Sequence, residues 1–324
     1  MSDTGGLVYA AVLDGKGGGR PLDWNGVRAW QPAQGPLWVH LQRNIPEAER
    51  WLREDSGLDQ FTAQALLEED PRPRTSTVGD GILAVLRGVN MNPGADPEDM
   101  VSVRIWVTAD RIITVRTRLL LSVQDIRSDL EAGRGPRRSA GVMARLAENL
   151  ARRMEPVIEE IEDRIDALEA DIGERRSSEI RADLHEIRRE AIALRRHIAP
   201  QRDALTRLPT LETKILDGNH RGRLREVSDR TMRYVEDLDA VRDRTAVLQD
   251  ELTTQMGEQM NRTMYLLTVV ATIMLPLGFI TGLLGVNVGG IPGAQSPWAF
   301  GVLCALLVGL VAVEVVVLRR LRWI

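Results

Sequence analysis

Only one of the 324 residues is cysteine, Cys304, and it lies in an apolar run. An intrachain disulfide and a CxxC metal site are therefore both excluded, and Cys304 reads as a packing residue. Histidine is nearly as scarce. His40, His185, His197 and His220 are scattered, and neither an HExxH pair nor an Asp-rich calcium loop occurs, so each reads as a solvated or packed side chain. The glycine run Gly15, Lys16, Gly17, Gly18, Gly19 lacks the GxxxxGK[ST] order of a phosphate cradle and reads as a loop between strands. No nucleophile, base and orienting group stand in a recognisable arrangement, so neither an enzyme nor a resident cofactor is expected. The opening MSDTGGLVYAAVLDG has no basic stretch leading into a long apolar one. No signal peptide is expected, which leaves the N-terminal region in the cytoplasm.

The most informative absence is of charge. No Asp, Glu, Lys, Arg or His occurs from Thr263 to Val313, although the chain carries 42 basic and 46 acidic residues in total. Only Arg319, Arg320, Arg322 and Glu314 follow that stretch, so the region before it has a net charge of −6. Nucleic acid is excluded as a partner, because neutralising phosphates requires a clustered positive excess. A mildly acidic domain instead tolerates cations.

Crossing about 30 Å of hydrocarbon takes about 20 apolar residues. Met264 to Leu284 and Trp298 to Leu318 both qualify, and the lipid bilayer becomes an expected partner. Between them, GVNVGGIPGAQSP over 285–297 is too rich in glycine and proline to continue a helix and makes a short outer connection. Arg262 precedes the first span and Arg319, Arg320 and Arg322 follow the second, which puts both termini on the cytoplasmic side. Trp298 and Trp323 suit the two interfacial belts. Glu314, close to the cytoplasmic end of the second span, can reach the headgroups or pair with an arginine, and as an intramembrane acid it also asks for a functional explanation such as proton handling.

From Leu224 onward, apolar and small polar residues recur at alternating steps of three and four: Leu224, Val227, Thr231, Tyr234, Leu238, Val241, Thr245, Leu248, Leu252, Gln255 and Gln259. Such a heptad seam demands partner helices. Two earlier stripes are candidates, Leu146, Leu150, Met154, Ile158, Ile161, Ile165, Leu168 and Ile172, then Leu184, Ile187, Ala191, Leu194 and Ile198. Asp217, Gly218 and Asn219 turn the chain into a helix that continues through the first span. The arginines Arg188, Arg189, Arg195 and Arg196 read as solvated surface. Within the span, Gly278 and Gly282 form a GxxxG step that permits close helix approach. Counting back from Asn287, one face runs through Gly285, Gly282, Gly278, Leu275, Ala271, Thr268, Met264 and Asn261, with Asp250 three turns further in. If copies gather around an axis, this face lines a narrow tube with a polar ring at each mouth. Two spans cannot enclose a pore unaided, so oligomerisation is required.

Upstream, runs at Leu7–Leu13, Leu37–Leu41, Ile82–Val89, Val101–Val107 and Arg111–Thr117 read as strands, with helices at Glu47–Glu54, Asp59–Glu68 and Ser122–Glu131. The expected fold class is α+β: a cytoplasmic α/β domain over 1–135, a helical hairpin region over 136–218, a stalk helix over 219–262 and a transmembrane hairpin over 263–324.

A long stalk helix entering a span that ends in Gly285, Val286, Asn287, followed by a short loop and a second span, resembles the CorA metal ion transporter superfamily. The loop GVNVGGIPG, together with Ala199–Asp203 (APQRD) and Arg72–Arg74 (RPR), is similar to its zinc-transporting branch. The resemblance implies a homopentamer in the cell inner membrane, with α/β domains around a funnel and a selectivity ring of Asn287. It also implies Zn2+ as the transported ion, by proton-coupled uptake (symport). In this reading Gly285 and Asn287 offer amide oxygens to a hydrated divalent cation, and Asp250 forms an inner ring. Val286 stands where magnesium-type members carry methionine, and the outer loop has no acidic residue. The alternatives are a Mg2+, Co2+ or Ni2+ channel, zinc efflux, or a coiled-coil membrane scaffold without transport.

Overall fold

A computed structural model describes residues 5–172, 175–286, 291, 293 and 296–320. The chain divides into two compact units, Met1–Gln249 and Asp250–Ile324.

The first unit is built on seven strands: β1 (Leu7–Leu13), β2 (Gly19–Pro21), β3 (Leu37–Gln42), β4 (Arg74–Val78), β5 (Gly81–Gly88), β6 (Val101–Val107) and β7 (Arg111–Arg116). Their order is β2-β1-β3-β7-β6-β5-β4, and every pair is antiparallel except β3 with β7. β5 is buried at all eight positions, as a central strand covered on both faces should be. The five expected strands are present within a residue of their predicted ends. β2 and β4 were missed because both are short edge strands of polar composition, GRP and RTSTV. The glycine run lies between β1 and β2 as expected, with Asp14 Oδ1 accepting from the amides of Lys16, Gly17 and Gly18 at 2.7–2.9 Å.

The short helices α1 (Trp24–Ala29), α2 (Pro46–Arg50) and α3 (Gln60–Leu66) belong to one face of the sheet, where Trp24, Trp51, Leu52 and Leu66 join Val39, Leu41, Leu83 and Ile113 in a core. The helix expected over Glu47–Glu54 changes character midway, because Trp51–Asp55 forms a π-type turn in which the Ser56 amide reaches back to Trp51 O. Asp59 does not open α3 as a helical residue. It caps the helix, its carboxylate accepting from the Thr62 amide at 3.0 Å and hydroxyl at 2.6 Å.

Three further helices, α4 (Leu121–Glu131), α5 (Ser139–Ala170) and α6 (Ser177–Arg207), complete the layer that packs on the sheet through α5 and α6. Gly88 of β5 lies where α5 crosses, and a Cβ there would stand 2.6 Å from Leu150 Cδ2, so that side chain would have to shift. The predicted stripes of α5 and α6 are buried, apart from Ile172, which is half-buried. The long helix α7 (Gly218–Leu284) runs unbroken for 67 residues through Gly257 and Pro276. Asp217 starts it, its carboxylate accepting the His220 amide at 2.9 Å. The seam is buried from Leu224 to Leu252, whereas Gln255 and Gln259 are exposed, so packing along it ends about two turns earlier than expected.

Most of the seam is thus satisfied within one chain. Glu148 on α5 holds Arg223 of α7 through two bonds at 2.5 and 2.6 Å, and Asp166 and Glu169 clasp Arg244. Arg188 and Arg195 are not merely solvated, because they reach α7 at Gln249 (3.1 Å) and Asp239 (2.6 Å). The two segments that carried the zinc-branch resemblance also connect near one strand. Gln201 accepts the Arg87 amide, while the Arg87 guanidinium donates to Asp70 and to the Pro71 carbonyl, beside Arg72–Arg74.

His40 is fully buried, with Nδ1 2.8 Å from Thr114 Oγ1, and burial with Arg116 nearby pushes it down to about 3. The unfolded chain takes a proton there below about pH 6.5, whereas the fold resists it down to about 3. Stability should therefore fall as pH drops through that window. Melting followed by circular dichroism between pH 7 and 5 checks this, and His40→Gln should flatten the profile.

Candidate functional site

The second unit contains the end of α7 and α8 (Ala299–Arg320), and both helices are long and apolar enough to cross a membrane. Each has one half-buried stripe. On α7 it is Val269, Ile273, Pro276, Leu277 and Ile280; on α8 it includes Leu303, Leu307, Leu310, Val311 and Val315, ending at buried Leu318. Stripes at helical spacing are what a hairpin covers.

The predicted pore face is elsewhere. At about 100° per residue, Asn261, Met264, Thr268, Ala271, Leu275, Gly278, Gly282 and Gly285 lie within about 60° of one direction. The half-buried stripe centres about 165° away. All eight positions are exposed, with Met264 at 59% and Leu275 at 73%. Asp250 and Val286 are exposed as well, whereas Asn287 lies outside the described residues. The structure therefore gathers the predicted positions from Asp250 to Gly285 on one bare side of one helix.

Among the described residues nothing packs on Gly278 or Gly282, since an added Cβ at either would meet nothing within 4 Å. Thr268 donates its hydroxyl hydrogen to Met264 O at 2.8 Å, and Thr263, Thr272 and Thr281 bond the carbonyl four residues back in the same way. With the hydrogen committed to the helix, what remains at Thr268 is oxygen lone pairs, which can accept from water. At the helix end the Gly285 amide is shared between Thr281 O and Gly282 O, at 3.0 and 3.2 Å.

One feature of α7 escaped sequence reasoning. Asp229, Glu236, Asp243 and Asp250 recur every seven residues and all are exposed, so a row of acids leads along one side of the helix to the start of the uncharged face. Their heptad spacing was the available signal. The histidines bring no metal centre together: His40 is buried, His185 is exposed, His197 lies near Arg87 and Arg196, and His220 sits 2.8 Å from Asp217. Among the described residues no group of three or more His, Cys, Asp or Glu is arranged to hold a metal ion.

Two helices long and apolar enough to cross a membrane, following an α+β domain in the chain, are the organisation of a membrane-anchored protein. The model of the CorA-like Mg2+ transporter protein family matches residues 33–320, and the chain belongs to that family. Divalent cation transporter CmaX of Pseudomonas aeruginosa is 42% identical over 326 residues, covering 99% of this chain and 98% of that protein. Zinc transport protein ZntB of Pectobacterium carotovorum is 38% identical over 319 residues, covering 98% and 96%. The structure of full-length CmaX matches over 99% of both chains with a TM-score of 0.86. The complete CorA magnesium transporter of Methanocaldococcus jannaschii, at 18% identity and a TM-score of 0.80 over 98% of both chains, shares the fold.

Because Gly282 has open space around it, Gly282→Leu should leave helix content and melting unchanged. If this exposed face lines a conduit, the variant should nevertheless cut cation flux into liposomes by about tenfold or more. Normal flux would place that face in lipid.

Proposed function

We propose that the protein is a homopentameric divalent cation transporter of the cell inner membrane that carries Zn2+ into the cytoplasm together with protons. The observation that carries this reading is the exposed, uncharged face of α7, on the side opposite the stripe that the hairpin covers. A bare face with a threonine oxygen, an asparagine and two unpacked glycines is poorly explained by lipid contact alone and well explained by copies meeting around a water-filled axis.

The ion class follows from the ligands offered. Divalent cations that release water reluctantly can be handled through their hydration shells by neutral oxygens, and the Gly285-Val286-Asn287 segment supplies amide oxygens for such a ring. The acid row from Asp229 to Asp250 favours cations on the cytoplasmic side. Zinc is preferred because of the ZntB relatives. Arg262, Arg319, Arg320 and Arg322 favour cytoplasmic ends for both spans.

Reconstituted protein should move Zn2+ faster than Mg2+, more so with an inwardly directed proton gradient, and Asn287→Ala should reduce flux by about tenfold or alter the ion order. Mg2+ movement alone would overturn the zinc assignment. Movement of neither metal would leave a membrane scaffold.

A further inference from the structure

Glu314 is the only charged residue of α8 before Arg319, Cys304 being the helix's other ionisable side chain in that stretch. It stands on the half-buried stripe, between Val311 and Leu318, rather than on a side free to turn outward. One of its carboxylate oxygens, Oε2, is covered by protein and has no hydrogen-bond partner. Five and six residues on, Arg319 and Arg320 point about 140° and 120° away around the helix and begin about 7 Å closer to its end. Glu258, Arg262 and Tyr265 are the titratable groups of α7 at that end. Among the described residues none of these groups meets Glu314 Oε2 in a hydrogen bond, and Arg322 lies outside them.

A carboxylate held among apolar side chains within a span has neither water nor a cation to replace its hydration, and such residues are retained where a charge or a proton moves. The remaining polar side chains of both spans are hydroxyls, one indole and the Cys304 thiol, all weaker acids than a carboxyl. We propose that Glu314 is the proton-binding group of the transport cycle. Its carboxyl takes a proton from one aqueous side and returns it to water on the other as the hairpin rearranges. The O–H bond formed at uptake is the one broken at release, and no other reactant is consumed. The residue lies on the stripe facing the hairpin interior, away from the face from Asn261 to Gly285. The proton and the hydrated cation thus use different sides of the helix pair and are coupled through its packing.

This inference rests on the transport reading and is tested with full-length protein in liposomes enclosing a pH-sensitive dye and a Zn2+ indicator. Wild type should show Zn2+ flux stimulated severalfold by a proton gradient, with proton movement accompanying the metal. Glu314→Gln, similar in size but unable to ionise, should keep flux at equal pH and lose both the stimulation and the proton signal. Glu314→Asp should retain both. Gel filtration and circular dichroism control for folding and assembly. A Gln variant that still carries protons with Zn2+, or that has lost flux at equal pH while remaining assembled, overturns the proposal. So does a wild type that moves Zn2+ without protons. A wild type that moves no metal refutes the transport reading itself.

Discussion

A helix of 67 residues has more surface than its own chain can cover, and the division of α7 into a packed side and a bare side governs the rest of the molecule. Along the stalk, the seam from Leu224 to Leu252 is filled from within the chain, and the arginine clasps to Glu148, Asp166 and Glu169 hold its edges. Further along, the hairpin stripe uses one side of the span and leaves the other empty. Burial of apolar surface is worth about 25 cal/mol per Å2 in water but gains nothing between lipid and a leucine, so an exposed small-residue face in a span gains by close helix packing or by contact with water.

The α+β domain provides firm attachment for that helix. Strand β5 is buried along its whole length, and α5 reaches the sheet closely enough for Leu150 to approach Gly88. Arg87 is a joint of particular interest. Its amide holds Gln201 of α6 and its side chain holds Asp70 and Pro71, so the loop before β4 and the helix before the stalk share one anchor. Arg104, fully buried and lowered to about 10 by burial and by Arg43 and Arg87, donates to the Glu68 and Glu69 carbonyls of the same loop. Losing either partner of such a buried pair exposes the other to the full cost of desolvation.

Much of this was legible in the residues. Charge-free runs of span length and apolar stripes at three and four were long, periodic signals, and both read correctly as helices. The Gly285-Val286-Asn287 signature led to the right family. What was illegible was short or relational. β2 and β4 are edge strands with little apolar content, and nothing in GRP or RTSTV marks pairing. The π turn at Trp51–Asp55 obeys no local pattern. That Arg188 and Arg195 face α7 depended on which side of α6 the stalk occupies, which no periodicity states. The seam invited an intermolecular reading as readily as an intramolecular one, and the structure assigns it mainly to the chain itself. What favours assembly is therefore the bare face of the span rather than the seam.

That face can be interrogated position by position. With Cys304 replaced by serine, single cysteines introduced from Asn261 to Gly285 in native membranes can be tested with a charged, water-soluble thiol reagent. The account predicts modification recurring at 264, 268, 271, 275 and 278 and absent at 269, 273, 277 and 280. Modification confined to the second set, or none within the span, would contradict a water-lined path along α7.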